Sequence, residues 1–263
     1  MKYANAPLKY VAFAADLSPV SVLGEISALD QIHERLRDVL PVREDQKNAL
    51  IPTLEGLVTT SGARFVDTAR HRAVLVTPVR IAADTTRYST FNEFLGFLEE
   101  VVRAVSEVAP GRACRRLGVR YVDEIRVPGT EPGNVGQWSE WIDAALLPGV
   151  ALRQTTGRRE ISGAIDDTLA DGYGVRFAWH TGATHAVNPS GPLMVPDPSE
   201  PGPYFALDTD SYWSATPGTE ILGLGDPALV QRIRRLHEPV QELFETSLTD
   251  RLRNEVLRPL EST

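Results

Sequence analysis

The sequence predicts an α+β protein, with a largely antiparallel sheet, helices packed on one face and a long amphipathic helical segment at the C-terminus. Strand-like segments come in groups with helices between the groups, whereas a doubly wound parallel sheet needs a helix after every strand. The chain has 263 residues, of which 42% are hydrophobic. That is enough for one compact unit over 1–263 or for two packed halves, 1–130 and 131–263.

The first elements are predicted from hydrophobic spacing. Residues 8–16 (LKYVAFAAD) alternate as a strand does, and 25–40 carry apolar residues at helical spacing. Residues 63–68 and 73–82 are typical of a hairpin. Pro78 lies inside the second of these strands and indicates an edge position or a bulge.

The middle of the chain predicts a helix followed by a strand with two different faces. Thr90 and Glu93 have the spacing of a capping box, and an apolar stripe follows them. The segment RRLGVRYVDEIRVP, 115–128, then alternates as a strand. Its apolar side is interrupted by Asp123 and otherwise consists of Leu117, Val119, Tyr121, Ile125 and Val127. Its polar side consists of Arg116, Arg120, Glu124 and Arg126.

The second half repeats this mixture of short strands and one short helix. We expect a helix over 136–147 and strands over 150–155, 160–166, 173–180 and 204–213. Glycine residues and an Asp-Gly pair separate the strands before the long loop, as turn residues do.

A proline-rich loop and a long helix complete the prediction. Residues 188–203 contain six prolines, which excludes a central strand or helix there. The loop is either a plain connection or a lid or docking segment. Asp226 as N-cap and Pro227 as first residue begin the C-terminal helical segment, which Pro239 should kink or divide.

Composition and charge exclude several classes of protein. The net charge of −8 disfavours nucleic-acid binding, which needs a basic surface. No apolar run is long enough for a membrane span, and one cysteine cannot form an intrachain disulfide. We therefore expect a cytoplasmic protein. Residues 131–263 hold 10 Lys and Arg against 19 Asp and Glu, so an acidic surface serves either solubility or a basic partner.

Four segments together resemble a sporadically distributed family of bacterial and archaeal proteins of about this length. They are YANAPLKYVAF, RYSTFNEFLGFLEEV, RRLGVRYVDEI and LHEPVQELFETSLTDRLR, spread along nearly the whole chain. The resemblance implies a single compact unit of this size. It implies no activity, cofactor or catalytic residue, because none is established for that family. Asp123 stands where the family pattern favours an amide or a similar small polar residue.

The polar faces of the second-half strands contain the candidate ligand-binding residues. Arg176 and His180 share one side of their strand, and Asp208 and Asp210 share one side of the next. If the two strands pair, these four side chains lie close together, and Arg120 joins them if its strand is in the same sheet. Three interpretations remain open: ion pairs across a solvated sheet face, a ligand-binding face, or a carboxylate pair tuned for acid–base chemistry.

Other candidate chemistry is weaker. His180 and His185 lack the spacing of a zinc site, and no glycine-rich phosphate loop is present, so we assign no metal and no cofactor. Trp138 and Trp141, three residues apart, are typical of packing residues. Cys114 lacks a histidine or asparagine signature and is interpreted as structural.

The sequence therefore favours a non-catalytic binding or interaction protein, an accessory or regulatory component that recognises a protein partner or a small-molecule ligand. The amphipathic C-terminal segment offers a surface for a homodimer. The alternative is a hydrolase or lyase that uses Asp208 or Asp210 with His180 and Arg176. No residue is assigned as catalytic under the first interpretation.

Overall fold

The fold is built on one large antiparallel sheet, as the sequence predicts. The structure is a computed structural model and describes residues 3–53, 56–130, 135–147, 161–216 and 222–260. Within these residues ten strands pair in the order β2-β3-β4-β5-β1-β6-β9-β8-β7, and β10 pairs with one end of β6. The strands are β1 Leu8–Leu17, β2 Val42–Thr53, β3 Gly56–Val66, β4 Arg72–Val76, β5 Arg80–Thr85, β6 Ala113–Ile125, β7 Ser162–Thr168, β8 Tyr173–Gly182, β9 Tyr204–Ser214 and β10 Leu222–Gly223.

Three α-helices contribute to a common core with one face of this sheet. They are α1 Ile26–Leu36, α2 Phe91–Val108 and α3 Pro227–Thr246, and a π-helical turn follows at Leu252–Leu257. Buried apolar residues from all three helices and from β1 and β3 to β6 form one cluster. Burial of that apolar stripe, rather than intrinsic propensity, accounts for most of the stability of such helices. None of the described helices is long and apolar enough to cross a membrane.

The predicted helix ends are present. The Thr90 hydroxyl accepts a hydrogen bond from the backbone N–H of Glu93 at 3.1 Å, so α2 begins as the capping pattern indicates. The Glu93 carboxylate binds Ser89 and Arg72. Asp226 caps α3 through the N–H of Ala228 at 2.8 Å. One residue on each helix therefore satisfies a backbone donor that would otherwise be unpaired.

Pro239 does not divide α3, which is continuous from Pro227 to Thr246. A proline inside a helix removes one backbone hydrogen bond and costs about 3 kcal/mol or more. Leu236 and Val240, on either side of it, are buried against the sheet, and this packing offsets the loss. The apolar stripe of α3 is used in the core, so a homodimer would need another surface and stays a prediction.

The hairpin predicted over 63–68 and 73–82 is only partly present. The second predicted strand is two strands, β4 and β5, because Pro78 lies in the turn between them. The Thr77 hydroxyl accepts from the N–H of Arg80 at 3.0 Å and closes that turn. No part of β2 is predicted from the sequence, because an edge strand with a polar exposed side lacks a strong alternation of apolar and polar residues.

The region after β6 also differs from the prediction. Residues 136–147 form two short 3-10 helices, Val135–Glu140 and Ala144–Leu146, instead of one helix. Between them Ile142 bridges to Leu248, and the N–H of Asp143 donates to the carbonyl of Ser247. These bonds to another segment end the first helix. The strand predicted over 150–155 lies outside the described residues.

The proline-rich loop crosses the sheet instead of running directly from β8 to β9. The carbonyl of Met194 accepts from the hydroxyl of Thr86 at 2.6 Å and from Nδ1 of His71 at 2.8 Å. Leu193 is buried against Val66 and Ala73, which lie on β3 and β4. The loop therefore packs on the half of the sheet that is remote from its own strands.

Candidate functional site

The sheet face opposite the helices, here called the open face, carries the residues that the sequence singles out. Alternation places one set of side chains from each strand on that face. In the centre of the sheet the set consists of Tyr10, Ala12, Ala14 and Asp16 of β1, Arg80, Ala82 and Asp84 of β5, Arg116, Gly118 and Arg120 of β6, Asp208 and Asp210 of β9, and Arg176 of β8.

A depression of about 560 Å³, here called the trough, runs over this part of the open face. Its floor is small because Ala82, Ala14 and Gly118 are neighbours in register on β5, β1 and β6. A Cβ on Gly118 would lie 3.2 Å from the guanidinium of Arg116 and 3.3 Å from the carboxylate of Asp210. The glycine thus lets these two side chains fold over the floor of the trough.

One wall of the trough contains a buried ion pair. Asp16 of β1 lies between Arg80 of β5 and Arg116 of β6. Nε of Arg80 donates to Oδ1 of Asp16 at 2.5 Å, and the Asp16 side chain is only 7% exposed. The second oxygen, Oδ2, is buried without a hydrogen-bond partner in the described structure.

The other wall is a row of alternating charges across five strands. Ala12, Arg120, Asp210 and Arg176 follow one another in register from β1 to β8, with Asp84 beside Ala12 on β5. Opposite charges on neighbouring strands attract and contribute roughly 0.2–1 kcal/mol per pair.

Two cross-strand ion pairs organise this row. Nε and Nη2 of Arg120 donate to the two oxygens of Asp208 at 2.7 and 2.6 Å, and this bonding raises the pKa of Arg120. Nη2 of Arg116 donates to Asp210 at 3.1 Å. Ion pairs across a sheet face, one of the three interpretations that the sequence leaves open, are therefore present for these two arginines.

Arg176 differs from the other arginines of the trough. It is exposed and lies opposite Asp210 on one side and Asp166 on the other. It forms no ion pair with any residue in the described parts of the chain, because Asp210 is bound by Arg116 and Asp166 accepts from the hydroxyl of Tyr212 at 3.2 Å.

Asp84 gives the trough a group that titrates near neutral pH. Burial raises its pKa to about 6, against the opposing effects of Arg64 and of a hydrogen bond from Tyr10. Burial and the neighbouring Asp84 charge raise the pKa of Tyr10. The charge of this end of the trough therefore becomes more positive as the pH falls below about 6.

The structure brings together only part of the predicted site. Arg120, Arg176 and Asp210 line the trough, and Asp208 lies beside them in its pair with Arg120. His180 lies farther along β8, opposite Ala206, and its Nε2 is 3.4 Å from the hydroxyl of Tyr204. No ion pair between His180 and either aspartate occurs among the described residues, so the proposed acid–base set is not assembled.

His185 has a structural environment in the loop after β8. Its Nδ1 lies 3.3 Å from Nη2 of Arg126, whose side chain also pairs with Glu124 at 2.8 Å. Glu124 in turn accepts from the N–H of Ala186 at 2.6 Å. Across the part of the chain that the structure describes, no three His, Cys, Asp or Glu side chains are grouped as metal ligands.

Sequence reasoning missed the half of the trough that β1 and β5 supply: Tyr10, Asp16, Arg80, Asp84 and the alanines between them. A usable signal was present in LKYVAFAAD, where every second residue is Tyr10, Ala12, Ala14 and Asp16. Small residues between polar ones on one strand face indicate a depression with polar walls. Comparison with protein-family models and with curated proteins finds no match, so functional assignment depends on this geometry.

Proposed function

We propose that the chain is a non-catalytic binding protein that recognises a small anionic molecule, carrying a carboxylate or phosphate group, in the trough of the open face. The observation that carries the proposal is that the Arg176 guanidinium is available to bind a ligand. Three of the arginines that line the trough each bind an aspartate, whereas Arg176 is exposed and has no ion pair among the described residues.

The chemistry of the trough supports an anionic ligand. Arginine presents a planar group that binds carboxylate or phosphate through two parallel hydrogen bonds. On the opposite wall, the charge of Asp16 is paired with Arg80. The trough, at about 560 Å³, lies within the range of small-molecule sites, about 300–1,000 Å³.

The absence of contact between His180 and the aspartates favours binding over catalysis at this face. Asp208 is held by both donors of Arg120, and Asp210 by Arg116. A general base has to be free to take a proton, and neither carboxylate is. The predicted hydrolase or lyase based on these residues therefore has no geometric support.

The test is calorimetric titration with citrate and with inorganic phosphate in a low-salt buffer that contains neither. We expect binding that weakens with added salt, and a 10- to 100-fold loss in Arg176→Gln, since a charged hydrogen bond contributes about 1.5–3 kcal/mol. Arg37→Gln is the matched control, because Arg37 is an exposed arginine on the turn after α1. Equal binding by Arg176→Gln and the wild type, or no binding of either anion, would overturn the proposal.

A further inference from the structure

A second cavity lies on the helix-covered side of the sheet, away from the trough. This cleft, of about 460 Å³, is bounded by β6, the start of α2, α3 and the segment 3–8. Backbone hydrogen bonds from Ala4 to Arg258 and from Asn5 to Leu257 hold that segment in place. The aromatic side chains that line the cleft are Tyr3, Tyr88, Phe91, Tyr121 and Phe244.

The cleft contains a buried carboxyl group to which none of the described residues donates a side-chain hydrogen bond. Asp123 lies on the helix-covered face of β6, where β1 shifts register between Leu8 and Tyr10. Its residue is 7% exposed, and it accepts no side-chain hydrogen bond from any described residue. Asp123 interrupts an otherwise apolar strand face, and the cleft is the reason that it can do so.

Two more polar groups that line the cleft with Asp123 are buried and have no hydrogen-bond partner in the part of the chain that the structure describes. One is the hydroxyl of Tyr121, whose ring packs edge to face with that of Tyr88 at a distance of 5.8 Å between the ring centroids. The other is Nδ1 of His237, whose ring stacks on that of Phe91 with 4.0 Å between the ring centroids. Each unsatisfied buried group disfavours the empty state.

The charge of the cleft is one-sided. The described lining residues include two carboxyl groups, Asp123 and Glu245, and no lysine or arginine. Glu245 is already engaged, because it accepts from the hydroxyl of Tyr3 at 2.8 Å and lies 3.4 Å from Nε of Arg253. Asp123 is therefore the carboxyl group that a ligand can use.

Aromatic walls around a carboxylate are suited to organic cations. The faces of tyrosine and phenylalanine rings attract ammonium groups, and the attraction strengthens when water is excluded. We propose that the cleft is a second ligand site, which binds a small organic amine with its ammonium group at Asp123 and its apolar body between the aromatic side chains. The site is separate from the anion-binding trough, because it lies on the opposite face of the sheet.

The proton state of Asp123 gives this binding a measurable signature. Burial, followed by the negative charge of Asp208, raises the pKa of Asp123 to about 7. The Tyr88, Tyr121 and His237 side chains around it are uncharged at neutral pH, because burial raises the pKa of Tyr88 to about 12 and that of Tyr121 well above its usual value, and lowers the pKa of His237 to about 4. A bound ammonium favours the carboxylate, so binding at pH 7 transfers about half a proton per ligand from Asp123 to the buffer.

The test is calorimetric titration of the full chain at pH 7 with phenethylamine, and with 2-phenylethanol as the uncharged probe of the same shape. We expect phenethylamine to bind at least tenfold more tightly and to release protons, measured in buffers of different ionisation enthalpy. Asp123→Asn should lose tenfold or more in affinity and all of the proton release. Glu238→Gln, which removes a carboxylate from the exposed side of α3, is the matched control and should bind as the wild type does.

Equal binding of the two probes, amine binding by Asp123→Asn at wild-type strength, or no amine binding at millimolar concentration would each overturn the inference. Asp123→Asn removes a buried charge, and its thermal midpoint shows whether it folds. Arg176→Gln should bind phenethylamine normally. If the trough proposal fails while this result holds, the cleft stands alone.

Discussion

Carboxyl groups lie on both faces of the sheet at β6 and β9, but their surroundings are opposite. On the open face, Asp208 and Asp210 each accept hydrogen bonds from an arginine on the neighbouring strand. On the helix-covered face, Asp123 is deeply buried and no described residue donates to its side chain. A carboxyl group that lacks a partner pays the full cost of its burial, and the pKa of Asp123 rises to about 7 as a result.

The comparison shows that the burial of a carboxylate and its pairing with an arginine are independent of each other. Asp16 is as deeply buried as Asp123, yet Arg80 binds one of its oxygens. On the open face, aspartates and arginines therefore neutralise one another in ion pairs. In the cleft, the negative charge of Asp123 can be neutralised by a proton or by a ligand. The first arrangement favours anions that displace or join the arginines, and the second favours cations.

Removing the partner of a buried carboxylate should have the largest effect. Arg80→Met leaves Asp16 buried without its ion pair, and we expect a loss of about 3–5 kcal/mol in the free energy of unfolding. Urea denaturation at pH 7 measures it. Arg80→Met combined with Asp16→Leu should recover most of the loss, because apolar side chains replace both charges. A single variant as stable as the wild type would show that the pair contributes nothing.

Removing the carboxyl group of Asp123 should instead increase the free energy of unfolding. Because the pKa of Asp123 is about 7 in the folded chain and near 3.9 when unfolded, the folded state holds the proton more tightly. Stability therefore falls as the pH rises from about 4 to about 7. Asp123→Asn should remove that fall and raise the free energy of unfolding at pH 8 by roughly 2–4 kcal/mol.

Urea denaturation of Asp123→Asn and the wild type at several pH values from 4 to 8 measures this effect. Asp143→Asn is not a suitable control, because its side chain caps a 3-10 helix. Asp250→Asn is suitable, since Asp250 is 94% exposed in its side chain. Parallel pH profiles for the wild type and Asp123→Asn would contradict the prediction.

The smallest expected effect is a change in the pKa of Asp123 caused by charges on the opposite face of the sheet. The negative charge of Asp208 raises the pKa of Asp123, and Arg120 neutralises Asp208 on the open face. Arg120→Gln should therefore raise the pKa of Asp123 by roughly 0.2–0.7 unit, since half-exposed ion pairs interact by up to about 1 kcal/mol. Asp208→Asn should lower it. NMR titration of the aspartate carboxyl carbons measures both shifts, and identical titrations in all three proteins would exclude this coupling.

The sequence was sufficient for whatever depends on local alternation. It placed Arg120 and Glu124 on one side of a strand and Asp123 on the other. It also predicted that Arg176 and His180 would lie near Asp208 and Asp210 if their strands pair, and the pairing brings Arg176 opposite Asp210. It did not predict the position of His180, because the approach of two strands does not fix their register. In the antiparallel register that places Arg176 opposite Asp210, Ala178 lies opposite Asp208 and His180 lies opposite Ala206.

The remaining parts of both sites come from pairing between distant segments. Nothing in the sequence around Arg120 shows that β1 will lie beside it, so the alanine floor and Asp16 stayed unpredicted. The cleft depends on α3 and the segment 3–8 meeting over β6, which hydrophobic spacing alone cannot indicate. His237, interpreted from sequence as a packing residue, does stack on Phe91, but it also lines the cleft.

The position of β6 in the sheet has a consequence for how the chain folds. Its two main neighbours are β1 and β9, although β2 to β5 separate it from the first in the chain and β7 and β8 from the second. Sheets made of such non-local pairs fold slowly, because a long stretch of chain must be ordered before the contacts form. During synthesis, β6 can pair with β1 before β9 has been made, and its other edge is then unpaired. An unpaired strand edge favours aggregation until β9 is added.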